Sequence, residues 1–173
     1  VASIVMASGR SRKAAITARE LAAMIAAAEG QGTRAIRDRA ILALGLAAAL
    51  RRSELVALEW RDVELVDKGL KLTLRHSKTD QEGEGQVIAV PSGKTLKPVE
   101  RLKVWLAVRG SGAGPLFYRI DPQGRLTDRR MSDRSIARLI QKYAGLVGLD
   151  PESVGGHSLR AGFLTEASRT GAT

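Results

Sequence analysis

The sequence predicts a mainly α-helical domain with a small antiparallel β-sheet. Apolar residues recur at helical spacing over most of the chain, whereas only two clear segments have the pattern of a strand. The 173 residues are enough for one domain with a substantial core, and 44% of them are hydrophobic. We therefore expect residues 1–15 to form a linker or arm and residues 16–173 to form the domain.

Three helices are predicted in the first third of the chain. A capping box with Thr17 at the N-cap and Glu20 three residues later begins the first helix, which ends near Gly30. Apolar residues at helical spacing predict a second helix over residues 33–50. Ser53 is then expected to cap a short third helix.

The middle of the sequence has the pattern of a β-hairpin. Residues 70–75 alternate apolar and polar side chains, and residues 86–90 form a second apolar run that stops at a proline. The turn-forming residues 80–85 lie between them. Residues 63–66 are a candidate third strand, so the sheet is expected to be small and antiparallel.

Helical pattern returns in the second half. Residues 98–108 predict a helix with proline at its first position, and a glycine-rich loop follows at residues 110–115. Ser132 is expected to cap another helix that ends by Gly148. Residues 157–168 have the pattern of a last helix.

The charge of the sequence indicates a polyanionic partner. Lysine and arginine number 28 against 18 acidic residues, a net charge of +10, and residues 94–148 alone carry 12 basic and four acidic residues, a net +8. Such an excess favours nucleic acid as the partner, although a solvated helical surface is the alternative. The sequence has no cysteine, which excludes thiolate metal sites and cysteine nucleophiles, and no apolar run approaches the roughly 20 residues of a membrane span.

Three short motifs could carry chemistry, and each also has an ordinary structural interpretation. Arg51 and Glu54 lie in the sequence Leu-Arg-Arg-Ser-Glu-Leu, where they could simply form an ion pair at a helix start. Lys78 lies beside the hairpin turn, where most lysines are solvated. His157 and Arg160 are three residues apart in His-Ser-Leu-Arg, where a surface pair is the default interpretation.

The order of these motifs resembles the catalytic domain of the tyrosine recombinases, the phage-integrase family of site-specific recombinases. Leu-Arg-x-x-Glu-Leu comes first, a lysine on a hairpin follows, and His-x-Leu-Arg opens a helix near the end. The resemblance covers roughly residues 17–173. It implies DNA cleavage and rejoining through a 3′-phosphotyrosyl intermediate, without metal or nucleotide cofactor.

The resemblance also implies a role for each residue. Arg51 and Arg160 would clamp the two non-bridging oxygens of the reacting phosphate, because the planar guanidinium donates aligned hydrogen bonds and stays protonated. His157 would donate a hydrogen bond or assist proton transfer. Lys78 would be the general acid for the departing 5′-oxygen, and Glu54 would orient one of the arginines or His157 without contacting the phosphate.

Three departures from the family pattern bear on these assignments. The family's nucleophilic tyrosine follows the His-x-x-Arg motif by some tens of residues, whereas Tyr118 and Tyr143 both precede it. We assign neither as the nucleophile and expect the domain to be truncated at its C-terminus. Ala48-Ala49 replaces a common Thr-Gly pair, and Arg52 replaces a common apolar residue, although the register of the motif favours Arg51 as the clamp.

The expected partners are double-stranded DNA and other protomers, as a tetramer on DNA for the full-length protein, and the expected location is the cytoplasm. Two alternatives remain open: a basic module that binds duplex DNA without cutting it, and an enzyme like the type IB topoisomerases, which share the residue set. A metal-dependent nuclease is disfavoured, because no D-x-D or E-x-K cluster lies beside a histidine.

Overall fold

Helices and two small sheets alternate along the computed structural model, which describes residues 15–75 and 85–154. The helices are α1 (Ala18–Ala27), α2 (Thr33–Ala47), α3 (Arg52–Ala57), α4 (Pro98–Arg109) and α5 (Asp133–Leu146), and the strands are β1 (Val63–Val66), β2 (Gly69–Leu74), β3 (Gln86–Pro91), β4 (Tyr118–Ile120) and β5 (Leu126–Arg130). The predicted last helix, most of the predicted hairpin loop and nearly all of the predicted arm lie outside the described residues. In the two described ranges, no helix is long and apolar enough to span a membrane.

The helix starts follow local sequence signals. The N–H of Glu20 donates to Oγ1 of Thr17 at 3.1 Å, and the N–H of Thr17 donates to Glu20 Oε2 at 2.9 Å, so the predicted capping box is confirmed. Ser132 accepts from the N–H of Ser135 at 3.2 Å and caps α5 as predicted. These bonds satisfy backbone donors that a helix start otherwise leaves unpaired.

Helix α2 lies at the centre of the domain. It packs against α1, α3 and α4, and α5 packs against α1 and α3. Ten of its 15 residues are buried, including the consecutive run Ile41, Leu42, Ala43 and Leu44. The second half of α2 is apolar on all sides and therefore belongs inside a core, so α2 is the element around which the others are arranged.

The predicted sheet is confirmed with the order β1-β2-β3, all antiparallel. The alternation along β2 buries Leu70, Leu72 and Leu74 against the helices. The strand starts at Gly69, opposite Pro91, where a Cβ atom would collide with the backbone oxygen of Val90. Only glycine fits this close approach of two strands.

A second sheet, the β4–β5 hairpin, was not expected from the sequence. Its strands are short and mostly exposed, so they lack the alternation of a half-buried strand. Tertiary contacts hold it instead. Nε1 of Trp105 donates to Leu116 O at 2.8 Å, the Trp105 ring stacks on Phe117 at 6.2 Å between centroids, and Nε of Arg119 donates to Arg130 O at 3.0 Å.

Two predicted helix boundaries are wrong. Helix α2 ends at Ala47 and not at residue 50, because Ala49 adopts a left-handed φ of 52° that ends the helix. Helix α3 begins at Arg52 with Arg51 at the N-cap, so Ser53 lies within the first turn and does not cap it. The carboxylate of Glu54 accepts from the backbone at this start and replaces the expected serine cap.

Candidate functional site

The turn between α2 and α3 presents Arg51. Leu50 is fully buried, and its N–H donates to Gly45 O at 3.0 Å, which anchors the turn to the end of α2. The left-handed residue Ala49 reverses the chain just before it. Arg51 therefore leaves the core at a fixed point, directly after a buried side chain.

Glu54 holds Arg51 at two places. Its Oε2 accepts from the backbone N–H of Arg51 at 2.7 Å, and its Oε1 accepts from Nη1 of the same residue at 3.3 Å. The Glu54 side chain is 14% exposed, whereas 39% of the Arg51 side chain is exposed. One carboxylate thus orients both the backbone and the guanidinium while the arginine side chain stays partly exposed.

Arg52 differs from Arg51 in this respect. It occupies the first position of α3 and is partly exposed, but no side chain in the described ranges forms an ion pair with it. A guanidinium that binds phosphate must be held in place before the anion arrives. The two adjacent arginines are therefore distinguished by Glu54, which orients only the first.

Lys78, His157 and Arg160 lie outside the described residues. For Lys78 the neighbouring elements are described. Strands β2 and β3 are antiparallel with Leu74 opposite Gln86, so Lys78 belongs to the connection between two paired strands, as the sequence predicts. Of the predicted site, Arg51 and Glu54 are the two members that the structure brings together.

A charged network that the sequence analysis missed supports α3 from the other side. Asp62, whose side chain is 3% exposed, accepts from Nε of Arg75 at 2.6 Å and from the N–H of Glu59 at 2.9 Å. Glu59 forms an ion pair with Arg130, and Nη1 of Arg130 donates to Val56 O at 2.6 Å. The network joins the C-terminal end of α3 to β2 and to β5.

The network also borders a cavity of about 210 Å³ between α3 and β2, lined by Glu54, Asp62 and Arg75 among others. The three-residue spacing of Glu59 and Asp62 resembles a capping box and was the available sequence signal. No local pattern predicts the pairing with Arg75 or Arg130, because 13 and 71 residues separate the partners.

Neither described tyrosine has the environment of a nucleophile. Tyr143 is buried, and its hydroxyl donates to Asp38 Oδ2 at 2.6 Å; burial and this carboxylate raise the pKa of its phenol well above the ordinary value. The hydroxyl of Tyr118 accepts from Nη2 of Arg109 at 3.3 Å, and the guanidinium lies 4.9 Å from the ring centroid. Both tyrosines hold structure together in this geometry.

Comparison with known proteins decides the family. The model of the phage integrase family matches residues 14–173. The chain belongs to the phage integrase family. The predicted family is thus confirmed over nearly the whole sequence.

Named relatives and solved structures agree. The chain is 40% identical over 136 residues to an integrase/recombinase XerD homologue from Selenomonas ruminantium, which covers 78% of this chain and 40% of that protein. The fold matches the XerA recombinase (TM-score 0.70, 21% identity, 92% of this chain and 52% of that chain). It also matches residues 75–356 of the lambda integrase bound to DNA (TM-score 0.62, 21% identity, 94% and 53%).

These structures confirm the predicted fold class, a mainly helical recombinase catalytic core with a small antiparallel sheet, to which this structure adds the β4–β5 hairpin. The chain spans about half the length of the curated relatives it matches.

Proposed function

We propose that this chain is the catalytic domain of a site-specific DNA recombinase. It binds duplex DNA and, in the complete protein, cuts and rejoins strands through a 3′-phosphotyrosyl intermediate without metal or ATP. The observation that carries the proposal is the fixing of Arg51, whose side chain is partly exposed, by Glu54 in a chain of the phage integrase family.

In the proposed reaction, a tyrosine hydroxyl attacks the phosphorus of one phosphodiester, and its proton passes to water or to His157 as the new oxygen–phosphorus bond forms. The bond from phosphorus to the 5′-oxygen breaks, and Lys78 gives its proton to that oxygen. Negative charge accumulates on the non-bridging oxygens during this displacement, and Arg51 and Arg160 donate hydrogen bonds to them. His157 donates a hydrogen bond to the same phosphate or assists the proton transfer, and Glu54 keeps Arg51 in position. Rejoining is the reverse attack by a 5′-hydroxyl.

Double-stranded DNA is the proposed partner, together with further protomers that form a tetramer on two duplexes. The basic excess in residues 94–148 supports the DNA partner, since cations opposite phosphates release counterions and increase affinity. The lambda integrase, whose fold this chain shares, is bound to DNA in its structure. The proposed location is the cytoplasm, where bacterial DNA lies.

The first test is to read the coding frame past Thr173. A tyrosine about 30 residues beyond Arg160 is expected from the family resemblance. The protein expressed with that continuation is then mixed with a library of nicked duplexes of varied sequence. Covalent protein–DNA products, recovered under denaturing conditions and sequenced, would be enriched in one target site.

Arg51→Ala should lower the rate of covalent product formation by a factor of about 10²–10³, the loss typical of one donor to a developing oxyanion. Arg52→Ala is the matched control and should retain most of the rate, because no carboxylate in residues 15–75 and 85–154 orients Arg52. Duplex affinity, measured by fluorescence anisotropy, should fall by no more than about tenfold in either variant.

The alternatives make different predictions in the same assay. Covalent product on every sequence, with relaxation of a plasmid that lacks the enriched site, would indicate a topoisomerase-like enzyme. Salt-dependent binding with no covalent product from a protein that includes the tyrosine would indicate a binding module. Equal rates for wild type and Arg51→Ala would contradict the role of Arg51.

A further inference from the structure

A cleft of about 340 Å³ lies between α2, β4 and α5, away from the α2–α3 turn. Four exposed cations from these three elements surround it: Arg34, Arg119, Arg138 and Lys142. Its apolar lining is half-buried or buried and consists of Ile120, Met131 and Leu139. We refer to it as the basic cleft.

The acid in the described lining does not neutralise these four charges. Asp38 is buried, and its Oδ1 already accepts from Nη2 of Arg37 at 2.9 Å while its Oδ2 accepts from the Tyr143 hydroxyl. Arg37 is the fifth cation of the lining, and Asp38 balances it. A net charge of about +4 therefore remains in the described lining of the basic cleft.

Backbone oxygens hold two of the four cations. Nη2 of Arg34 donates to Asp121 O at 2.7 Å, and Nε of Arg119 donates to Arg130 O at 3.0 Å. The carboxylate of Asp121 instead accepts from the N–H and Nε of Arg125, at 2.8 and 2.9 Å. Carbonyl oxygens orient guanidinium groups without cancelling their charge, so both arginines are preorganised for an anion.

The other two cations repel each other. Arg138 and Lys142 are four residues apart on α5, and like charges at this spacing destabilise a helix slightly. Lys142 Nζ lies 5.2 Å from the Tyr143 ring centroid, a contact that positions the ammonium without neutralising it. This arrangement is unfavourable in isolation and becomes favourable when a polyanion lies across the cleft.

The position of the basic cleft suits a duplex that is also bound at Arg51. Arg34 lies in the first turn of α2 and Arg51 follows its other end, and a helix of 15 residues is about 22 Å long. Each strand of a duplex carries a phosphate every 3.4 Å or so along the axis, so about six lie within that length. The basic cleft and Arg51 are therefore separated along α2 by a length that corresponds to about six phosphates of one strand.

The geometry points to the basic cleft as a second contact site for the DNA backbone, one that binds phosphates several base pairs from the reacting one. The cleft contributes affinity and orientation without reading sequence, because phosphates are the same at every base pair. This inference rests on the proposed function, since it takes duplex DNA as the ligand.

The test measures duplex affinity of the 173-residue chain against salt concentration. Each phosphate contact contributes close to one unit to the slope of log K against log[salt], so R138Q/K142Q should reduce the slope by about two units. The affinity loss should be the same for duplexes of unrelated sequence. K68Q/K71Q, which removes two exposed charges outside the cleft and outside residues 94–148, should leave the slope unchanged.

A charge-preserving variant, R138K/K142R, separates a phosphate contact from a structural role and should keep the wild-type slope. Thermal melting followed by circular dichroism checks that all variants fold. A wild-type slope in R138Q/K142Q, or an equal reduction in K68Q/K71Q, would overturn the inference but not the proposed function. Failure of the wild-type chain to bind any duplex would overturn both.

Discussion

Ala49 places backbone strain next to the candidate site. Its φ of 52° lies in the left-handed region, where an L-residue other than glycine costs about 1–2 kcal/mol. The surrounding contacts maintain it, because Leu50 is buried on one side and α2 ends on the other. The direction in which Arg51 leaves the core therefore depends on a conformation that alanine disfavours.

Ala49→Gly should raise the free energy of unfolding by about 0.5–1 kcal/mol. Glycine removes the strain, although part of this gain is lost because glycine also has more freedom in the unfolded chain. Urea unfolding measures the change. Ala48→Gly is the control, since Ala48 has an ordinary φ of −99° and glycine there should lower stability. A gain of similar size at both positions would contradict the strain argument.

At the scale of single residues, the sequence predicts contacts between residues that are close together in the chain. Arg51 and Glu54 are three residues apart, so one turn of helix brings them together once the motif is recognised. Asp62 was missed because its partner Arg75 reaches it across the β-sheet. The position of Arg51 relative to α2 depended on the left-handed Ala49, for which alanine carries no signal.

Between elements, Arg130 is the main polar link from the β4–β5 hairpin to α3. Its guanidinium pairs with Glu59 and donates to Val56 O near the end of the helix. A helix of six residues has little stability of its own. Helix α3, which begins beside Arg51, therefore relies on contacts of this kind at its far end.

Arg130→Met should lower the free energy of unfolding by about 1–2 kcal/mol, since it removes charge-assisted hydrogen bonds and leaves Glu59 without its partner. Chemical denaturation measures the loss. Arg129→Met is the control at the neighbouring position, where the side chain is exposed, and should change stability by less than about 0.5 kcal/mol. Equal losses at both positions would show that the hairpin link contributes little.

The contacts of Arg130 with α3 illustrate why some elements could be predicted from the sequence and others could not. Helices α1 and α5 have capping residues and apolar periodicity, and β2 has strict alternation, so local sequence specifies them. Strand β5 reads Leu-Thr-Asp-Arg-Arg and carries neither signal. It exists because Arg130 and Arg119 bond across the hairpin and to α3, which requires the folded neighbours.

For the whole molecule, the hydrogen bond from Tyr143 to Asp38 connects residues 105 positions apart. It joins α5 to the central helix α2, and Arg37 extends the connection to β4 by donating to Tyr118 O at 3.0 Å. Three elements therefore share one buried polar network. A change in the charge of this network should therefore alter the cooperative unfolding of the whole domain and not only the stability of one segment.

Stability should consequently fall at high pH. The folded state keeps Tyr143 protonated because burial and Asp38 raise the pKa of its phenol, whereas the unfolded chain releases the proton near the ordinary pKa of 10.0. The stabilisation is complete below that pH and is lost progressively above it. Urea unfolding between about pH 9 and pH 11 should show this decline.

Tyr143→Phe removes the ionisable group and is the matched variant. It should be less stable than wild type at neutral pH, because Asp38 loses one donor. Its free energy of unfolding should also decline less than that of wild type between about pH 9 and pH 11. If the free energy of unfolding of Tyr143→Phe fell as steeply as that of wild type, groups other than Tyr143 would account for the pH dependence.

The intrinsic fluorescence of the two tryptophans reports on different parts of the domain. Trp105 is fully buried and stacked on Phe117, whereas 37% of Trp60 is exposed in the turn between Glu59 and Asp62. Emission from Trp105 should be blue-shifted and protected from quenchers. Emission from Trp60 should be quenched readily. Unfolding and events at the surface near α3 can therefore be followed in one spectrum, without a label.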